Sequence, residues 1–190
     1  MYLFIDTETT GTPKNRNAPV SDLNNWPRMV QIAWLLYEKD GALIEEKDYI
    51  IKPEEFTIPP QSTKVHNISH KKAMEDGTNL TRVLHQLAPA IRKSDTLVAH
   101  NLKFDEKIIG AEYLRSKIDH SLSSKKQICT MEETTDFCEL PGKYGYKWPR
   151  LSELHHKLFG EPYDEMHNAA VDIYATARCF WELKERGFLG

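Results

Sequence analysis

The chain has 190 residues, of which 40% are hydrophobic and 28% charged, and its formal net charge is −3. That length suits one domain, residues 1–190, able to bury about 70% of the surface its unfolded chain exposes, so folding requires no staple. The charge excludes a basic protein that coats duplex nucleic acid by charge alone, and no apolar run approaches the ~20 residues of a membrane span.

The N-terminus lacks a basic stretch followed by a longer apolar core, so no cleaved signal peptide is expected. Cys129, Cys138 and Cys179 are odd in number, far apart and free of any CxxC pair. They read as buried free thiols in a reducing cytoplasm, which is the expected localisation.

Tyr2 to Ile5 form the first apolar run and read as a buried strand. Asp6, Thr7, Glu8, Thr9, Thr10 and Gly11 follow. In an extended chain residues two apart share a face, so Asp6 and Glu8 aim two carboxylates at one place. Like charges so placed call for a proton or a cation between them. A plain surface turn would also use Asp, Thr and Gly here. The segment from Thr12 to Met29 is rich in Asn and Pro and reads as a long loop. VQIAWLLY is a second buried strand. ALIEEKDYIIK is a third, joined to it by a turn at Gly41 as an antiparallel hairpin. KPEEFTIPP breaks regular structure with three prolines.

The middle of the chain reads as helical. Leu80, Val83, Leu84, Leu87 and Ile91 recur at helical spacing in LTRVLHQLAPAIRK, with Pro89 as a possible kink. DTLVAH is a short strand. KFDEKIIGAEYLRSK follows as a helix with Phe104, Ile108, Ala111 and Leu114 on one stripe. QICTM reads as a last strand. PRLSELHHKLFG has Pro149 near a helix start and Gly160 at its end. Ala169 to Arg186 is the longest helix, stopped by Gly187. Strands first, then helices alternating with strands, predict an α/β fold: a central mixed β-sheet flanked by α-helices.

Two further stretches carry chemistry. AHNLKFD (99–105) ends a strand and opens a helix. Asp105 there is a metal ligand or simply a partner for the helix dipole; His100 and Asn101 could equally be satisfied polar groups of a turn. HNAAVD (167–172) enters the last helix. Five residues turn a helix by about 140°, so His167 and Asp172 cannot share one face. His167 is expected before the helix on a loop, and Asp172 in its second turn. That suits a ligand with a general base beside it, although a lone His at a helix entrance is often only a cap.

Taken in order, D-x-E, HNxxFD and HxAxxD resemble the DnaQ-like, or DEDDh, 3′–5′ exonuclease family, which includes the epsilon proofreading subunit of bacterial DNA polymerase III. The resemblance runs from Phe4 to Asp172, with VQIAW as the second strand and VHNIS (65–69) as an intervening family segment. Asn67 departs from the Gly of many relatives. The resemblance implies a ribonuclease H-like fold. It implies that Asp6, Glu8, Asp105 and Asp172 hold two Mg²⁺ or Mn²⁺ ions, with His167 as general base. The substrate would be a single-stranded or frayed nucleic acid 3′ end, DNA in preference to RNA, releasing nucleoside 5′-monophosphates. Ribonuclease T and oligoribonuclease in the same family make RNA the alternative. A DNA polymerase is a candidate partner and a membrane is not.

Thr9, Thr10 and Gly11 are implied to approach the terminal nucleotide, with His66 and Phe104 contacting its sugar or base. His66 read as a surface loop residue and Phe104 as core are the bland alternatives. The 12–29 loop, with Arg16, Trp26 and Arg28, is expected to border the strand-end groove and stack on bases, or else to pack over Trp26. Two rivals fit less of the chain. A phosphatase using Asp6 as nucleophile leaves HNLKFD and HNAAVD without a role. A non-catalytic binding module leaves a complete acid set unused. The eighteen residues after Asp172 leave no long tail to tether a polymerase, which favours a free-standing enzyme, and the low basic charge favours distributive digestion.

Overall fold

The structure is a computed structural model, and it describes residues 1–163 and 167–189. The first strand, β1 (Tyr2–Thr9), runs on through both acids of the first motif. Thr7 and Thr9 are β-branched and bury one side of it, while Asp6 and Glu8 take the other, half-buried side. β2 (Met29–Tyr37) pairs antiparallel with β1, and β3 (Leu43–Ile50) antiparallel with β2. The β1–β2 register slips between Glu8 and Thr9. Such a bulge re-aims side chains at a strand end.

Two short helices follow that the sequence did not disclose, α1 (Pro60–His66) and α2 (His70–Asp76). Each has only seven residues, too few for an apolar period to show. Asn67 closes α1 with a left-handed φ of 60°. Gly and Asn are the residues that most readily adopt this cap, which accounts for Asn here. α3 (Leu80–Lys93) buries Val83, Leu84, Leu87 and Ile91 and carries Pro89 without ending there.

β4 (Thr96–Ala99) is wholly buried and leads into α4 (Leu102–Arg115). The expected stripe on α4 holds for Ile108 and Ala111. Leu114, however, is 40% exposed, and the helix instead buries Ile109, Glu112 and Tyr113. Glu112 is tolerated there because it accepts hydrogen bonds from Arg28 Nε (2.9 Å) and Met29 N (2.9 Å) and lies 3.2 Å from Arg115.

β5 (Lys126–Cys129) is shorter than QICTM suggested. Thr130 and Met131 begin α5 (Thr130–Glu133), followed by α6 (Thr135–Cys138). A small hairpin, β6 (Pro141–Gly142) and β7 (Gly145–Tyr146), precedes α7 (Leu151–Phe159), which Gly160 caps at φ 69°. α8 (Ala169–Glu185) closes the fold, with Asp172 in its first turn rather than its second. The three cysteines are free and buried.

The strands lie in the order β3-β2-β1-β4-β5, with β1, β4 and β5 parallel. Leu3, Ile5, Trp34 and Leu36 pack with α3 and α4 on one face; Phe4, Leu35, Val98 and Ile128 pack with α7 and α8 on the other. Phe180 of α8 meets Phe4 and Tyr2 edge-on at 5.1 and 5.0 Å. Such pairs add about 0.5–1.5 kcal/mol each beyond the area they bury. They seat α8 against β1 and so set Asp172 opposite Glu8.

The loop before β2 does not serve as a stacking platform. Trp26 is 4% exposed and donates Nε1–H to the Pro19 carbonyl at 2.9 Å. Arg28 is taken up by Glu112 and lies 4.6 Å over the Phe56 ring. Arg16 is exposed. The loop packs down onto α4 because Trp26 has apolar surface to bury and Glu112 draws Arg28 inward.

Candidate active site

Parallel strands joined through helices leave a crevice beyond their carboxyl ends. Here it opens past β1 and β4 as a cleft of about 360 Å³. Asp6 and Glu8 enter it from β1, Asp105 from α4, and His167 and Asp172 from the entrance to α8. Asp6 and Glu8 share the strand side that faces α8, as their spacing predicts. Asp105 comes from the helix on the other face of the sheet and meets the cleft around the strand end.

Each acid is oriented by a neighbour. The Thr7 hydroxyl donates to Asp105 Oδ1 at 2.7 Å. The Tyr163 hydroxyl donates to Asp172 Oδ1 at 2.5 Å, and the Asn168 amide to Asp172 Oδ2 at 3.2 Å. The Asn168 side chain caps α8 by accepting from Ala170 N at 3.0 Å. Gln31 of β2 accepts from Ala169 N at 3.2 Å and donates to Asp48 at 2.8 Å, tying the α8 entrance to the sheet. His167, just before this cap, is exposed and holds a left-handed φ of 44°. That conformation is uncommon outside glycine. It lets the ring reach back toward Glu8.

Burial pushes the Glu8 carboxyl up to about 8, and the Asp172 and Asp105 charges add to the rise. Burial also pushes Asp105 up, against the pull of the Thr7 hydroxyl and nearby amides. Acids so placed ionise together when a cation lies among them. Glu8, His167 and Asp172 each offer a ligand atom, all within 4.8 Å of one another. This donor set fits a hard divalent cation, which takes carboxylate oxygens first.

The expected substrate contacts divide. Phe104 lines the cleft and also packs on the core, so both readings of it hold. His66 is buried rather than on the surface. Its Nδ1 accepts from Ile68 N at 3.1 Å, so Nε2 carries the ring's hydrogen, and Nε2 makes no hydrogen bond of normal geometry among the described residues. Burial lowers the His66 pKa, the Thr9 backbone opposes the fall and the nearby His167 adds to it. Thr9, Thr10 and Gly11 stand just beyond the cleft lining. The Thr9 hydroxyl donates to the Gly11 carbonyl at 2.6 Å, and the Thr10 hydroxyl accepts from Arg28 N at 3.0 Å.

His100 has a structural place. Its ring bridges Thr130 Oγ1 and the Pro149 carbonyl, each at 3.0 Å, and pins the segment before α7 to the sheet. Sequence reasoning missed Thr7, Tyr163, Trp148 and Arg150. Thr7 was visible between the two acids, and Tyr163 only four residues before His167.

A mixed five-stranded sheet with helices on both faces, and acids gathered at the ends of its parallel strands, defines a ribonuclease H-like nuclease fold, the class of metal-dependent hydrolases. Residues 3–180 match the RNase_T family, described as exonuclease, and the chain belongs to that family. In three dimensions it is similar to Escherichia coli exonuclease I in complex with a dT13 oligonucleotide, with TM-score 0.77, 20% identity, 97% of this chain and 41% of that one. It is similar to the zinc-bound E. coli exonuclease I–single-stranded DNA complex, with TM-score 0.74, 21% identity, and 97% and 40% of the two chains. A third match, to a structure of exonuclease I described as suggesting how processivity is achieved, has TM-score 0.76, 19% identity, and 98% and 42% coverage. The chain thus spans about two fifths of the length of these enzymes. No curated protein sequence matches it. Among the described residues no helix is long and apolar enough to cross a membrane.

Proposed function

We propose that the chain is a 3′–5′ exonuclease domain that removes nucleoside 5′-monophosphates from single-stranded or frayed DNA, with two Mg²⁺ or Mn²⁺ ions held by Asp6, Glu8, Asp105 and Asp172. The observation that carries this reading is the gathering of four carboxylates from β1, α4 and α8 into one cleft beside His167. Family membership supplies the reaction class. The oligonucleotides bound to exonuclease I in the similar structures favour DNA over RNA. Kinship with polymerase proofreading subunits rests on the motifs alone.

Divalent cations bound there would lower the pKa of a water and neutralise charge on the departing 3′ oxygen. His167 stands at the cleft, where its imidazole can take the proton of the attacking water. Thr7, Tyr163 and the Asn168 amide fix Asp105 and Asp172 before substrate arrives. Phe104 offers its ring to the terminal base, while His66, buried with Nε2 out of reach of the cleft, stands behind it against the Thr9 backbone. The acids and His167 serve a hydrolysis that needs no covalent enzyme intermediate.

The test is digestion of 5′-labelled DNA and RNA strands of one sequence with Mg²⁺, Mn²⁺ or EDTA, beside Asp105→Ala. A metal-dependent ladder shortening from the 3′ end, faster on DNA and lost in the variant, is expected. A faster RNA ladder would reassign the substrate. No cleavage of either strand would overturn the enzyme reading and leave a binding module.

A further inference from the structure

The segment Pro141–Arg150, PGKYGYKWPR, holds three aromatics, three cations and no acid, in a chain whose net charge is −3. Its aromatics are not core residues. Tyr144 is 91% exposed, Tyr146 52% and Trp148 56%, and they are the most open aromatics in the described chain apart from Phe188. Large rings left in water call for an explanation when they cluster beside a cleft.

The segment is built to hold them there. β6 and β7 pair Pro141 with Tyr146 and Gly142 with Gly145. A Cβ on Gly142 would meet the Gly145 carbonyl oxygen at 2.8 Å, and Gly145 itself takes a φ of +125°, so both glycines are required by the turn. Lys147 N donates to the Leu140 carbonyl at 2.9 Å. The Lys147 ammonium is tied to Glu153 at 2.6 Å, anchoring the ribbon to α7. Lys143 lies 5.0 Å over the Tyr144 ring. Trp148, Pro149 and Arg150 then form part of the cleft wall beside His100 and Phe104. Tyr146 ends β7 two residues before Trp148, and Tyr144 stands in the turn before it.

We propose that this hairpin is a stacking platform for the single strand upstream of the scissile end, with the rings of Trp148, Tyr146 and Tyr144 receiving successive bases and Lys143 and Arg150 meeting the backbone phosphates. The inference rests on the exonuclease reading of the adjoining cleft. Rings with interspersed cations fit a single strand, whose unpaired bases present faces to stack on. Paired bases in a duplex present none. Stacking reads no base edge, so the platform is sequence-tolerant, as a degradative enzyme needs.

The test measures binding of 5′-fluorescein-labelled oligothymidylates of three and twelve residues, in Ca²⁺ to slow turnover, for the wild-type protein and Tyr144→Ala/Tyr146→Ala. Tyr144→Ala alone serves as a second variant, because that ring is almost free of the fold. Removing one stacking ring weakens binding about fivefold to a hundredfold. The 12-mer is expected to weaken by at least that fivefold in the double variant and measurably in the single one, with the 3-mer changed less than twofold. Equal affinities for the 12-mer in wild type and both variants would overturn the platform and assign the exposed rings to another partner. A drop shared equally by both lengths would overturn it too, as damage to the cleft. Hydrolysis of the 12-mer by the wild-type protein in Mg²⁺ is scored separately: its absence defeats the exonuclease reading, whereas its presence with unchanged variant binding defeats only the platform.

Discussion

Burial, then the Asp172 and Asp105 charges, push the Glu8 pKa up to about 8 from an ordinary 4.5. Between those values the folded protein keeps a proton that the unfolded chain has lost. Stability of the metal-free protein therefore falls as pH rises through this window and levels off above it. One pKa unit is about 1.4 kcal/mol, and solvent at the cleft trims the full shift to about 1–3 kcal/mol. Asp105 acts in the same direction. Thermal melts of metal-free protein should show Tm dropping from pH 5 to pH 8.5, and Glu8→Gln should flatten that slope. Mg²⁺ should restore Tm at pH 8.5 and do little at pH 5, where the acids already hold protons. A Tm that rises with pH in metal-free buffer would contradict the raised pKa. His167 has a different signature. His167→Ala should lower kcat about 10²- to 10⁴-fold, the usual range for a lost general base, with KM for the strand changed far less. Steady-state kinetics on a 12-mer checks the split; a change confined to KM would make His167 a binding residue.

Helices and strands were legible in proportion to how far their own sequence decides them. α3 is readable to the residue because fourteen positions show one apolar face. α1 and α2 were not, since seven residues give too little period and their caps, Pro59 and Asn67 for α1, Ser69 and Gly77 for α2, look like loop residues. Asn67→Gly should leave stability within a few tenths of a kcal/mol. Asn67→Val should cost about 1–2 kcal/mol, because a β-branched side chain resists the left-handed cap. Urea titration distinguishes the two. Glu112 was unreadable for a different reason: its partners Arg28 and Met29 lie more than eighty positions away. By pattern it belonged to a helix surface. In the fold it joins α4 to the start of β2 and to the loop that Trp26 anchors. Glu112→Ala should destabilise by about 3–5 kcal/mol, the cost of leaving buried arginine charge uncompensated. A loss below about 1 kcal/mol would show that water reaches Arg28 and Arg115.

At the scale of the molecule, the acids were legible because their types and order, rather than their local structure, carry the signal. Asp6 and Glu8, Asp105, and Asp172 stand far apart in the chain and meet only when β1, α4 and α8 are packed on one sheet. The proposed path of the strand was not legible in the sequence, because exposure decides it. Trp26 and Trp148 look equally suited to stacking in the sequence; the fold buries one and leaves the other open. The same contrast sets how binding should answer to salt. A chain of net charge −3 has no broad positive field to gather a polyanion. Of the cations of the hairpin, Lys147 is held by Glu153, so the proposed platform would meet phosphates mainly through Lys143 and Arg150, with Lys147 as a partial third. Two or three neutralised phosphates on a single strand give a log–log slope of affinity against salt of about −1.4 to −2. Anisotropy titrations of a 12-mer at fixed Ca²⁺ from 50 to 300 mM KCl should return a slope in that range. Affinity retained at high salt would then include the stacking share, and it should fall by at least about fivefold in Tyr144→Ala/Tyr146→Ala, which keeps Trp148 and Phe104. A slope steeper than about −4 would mean that a wider basic surface, rather than the hairpin, holds the strand.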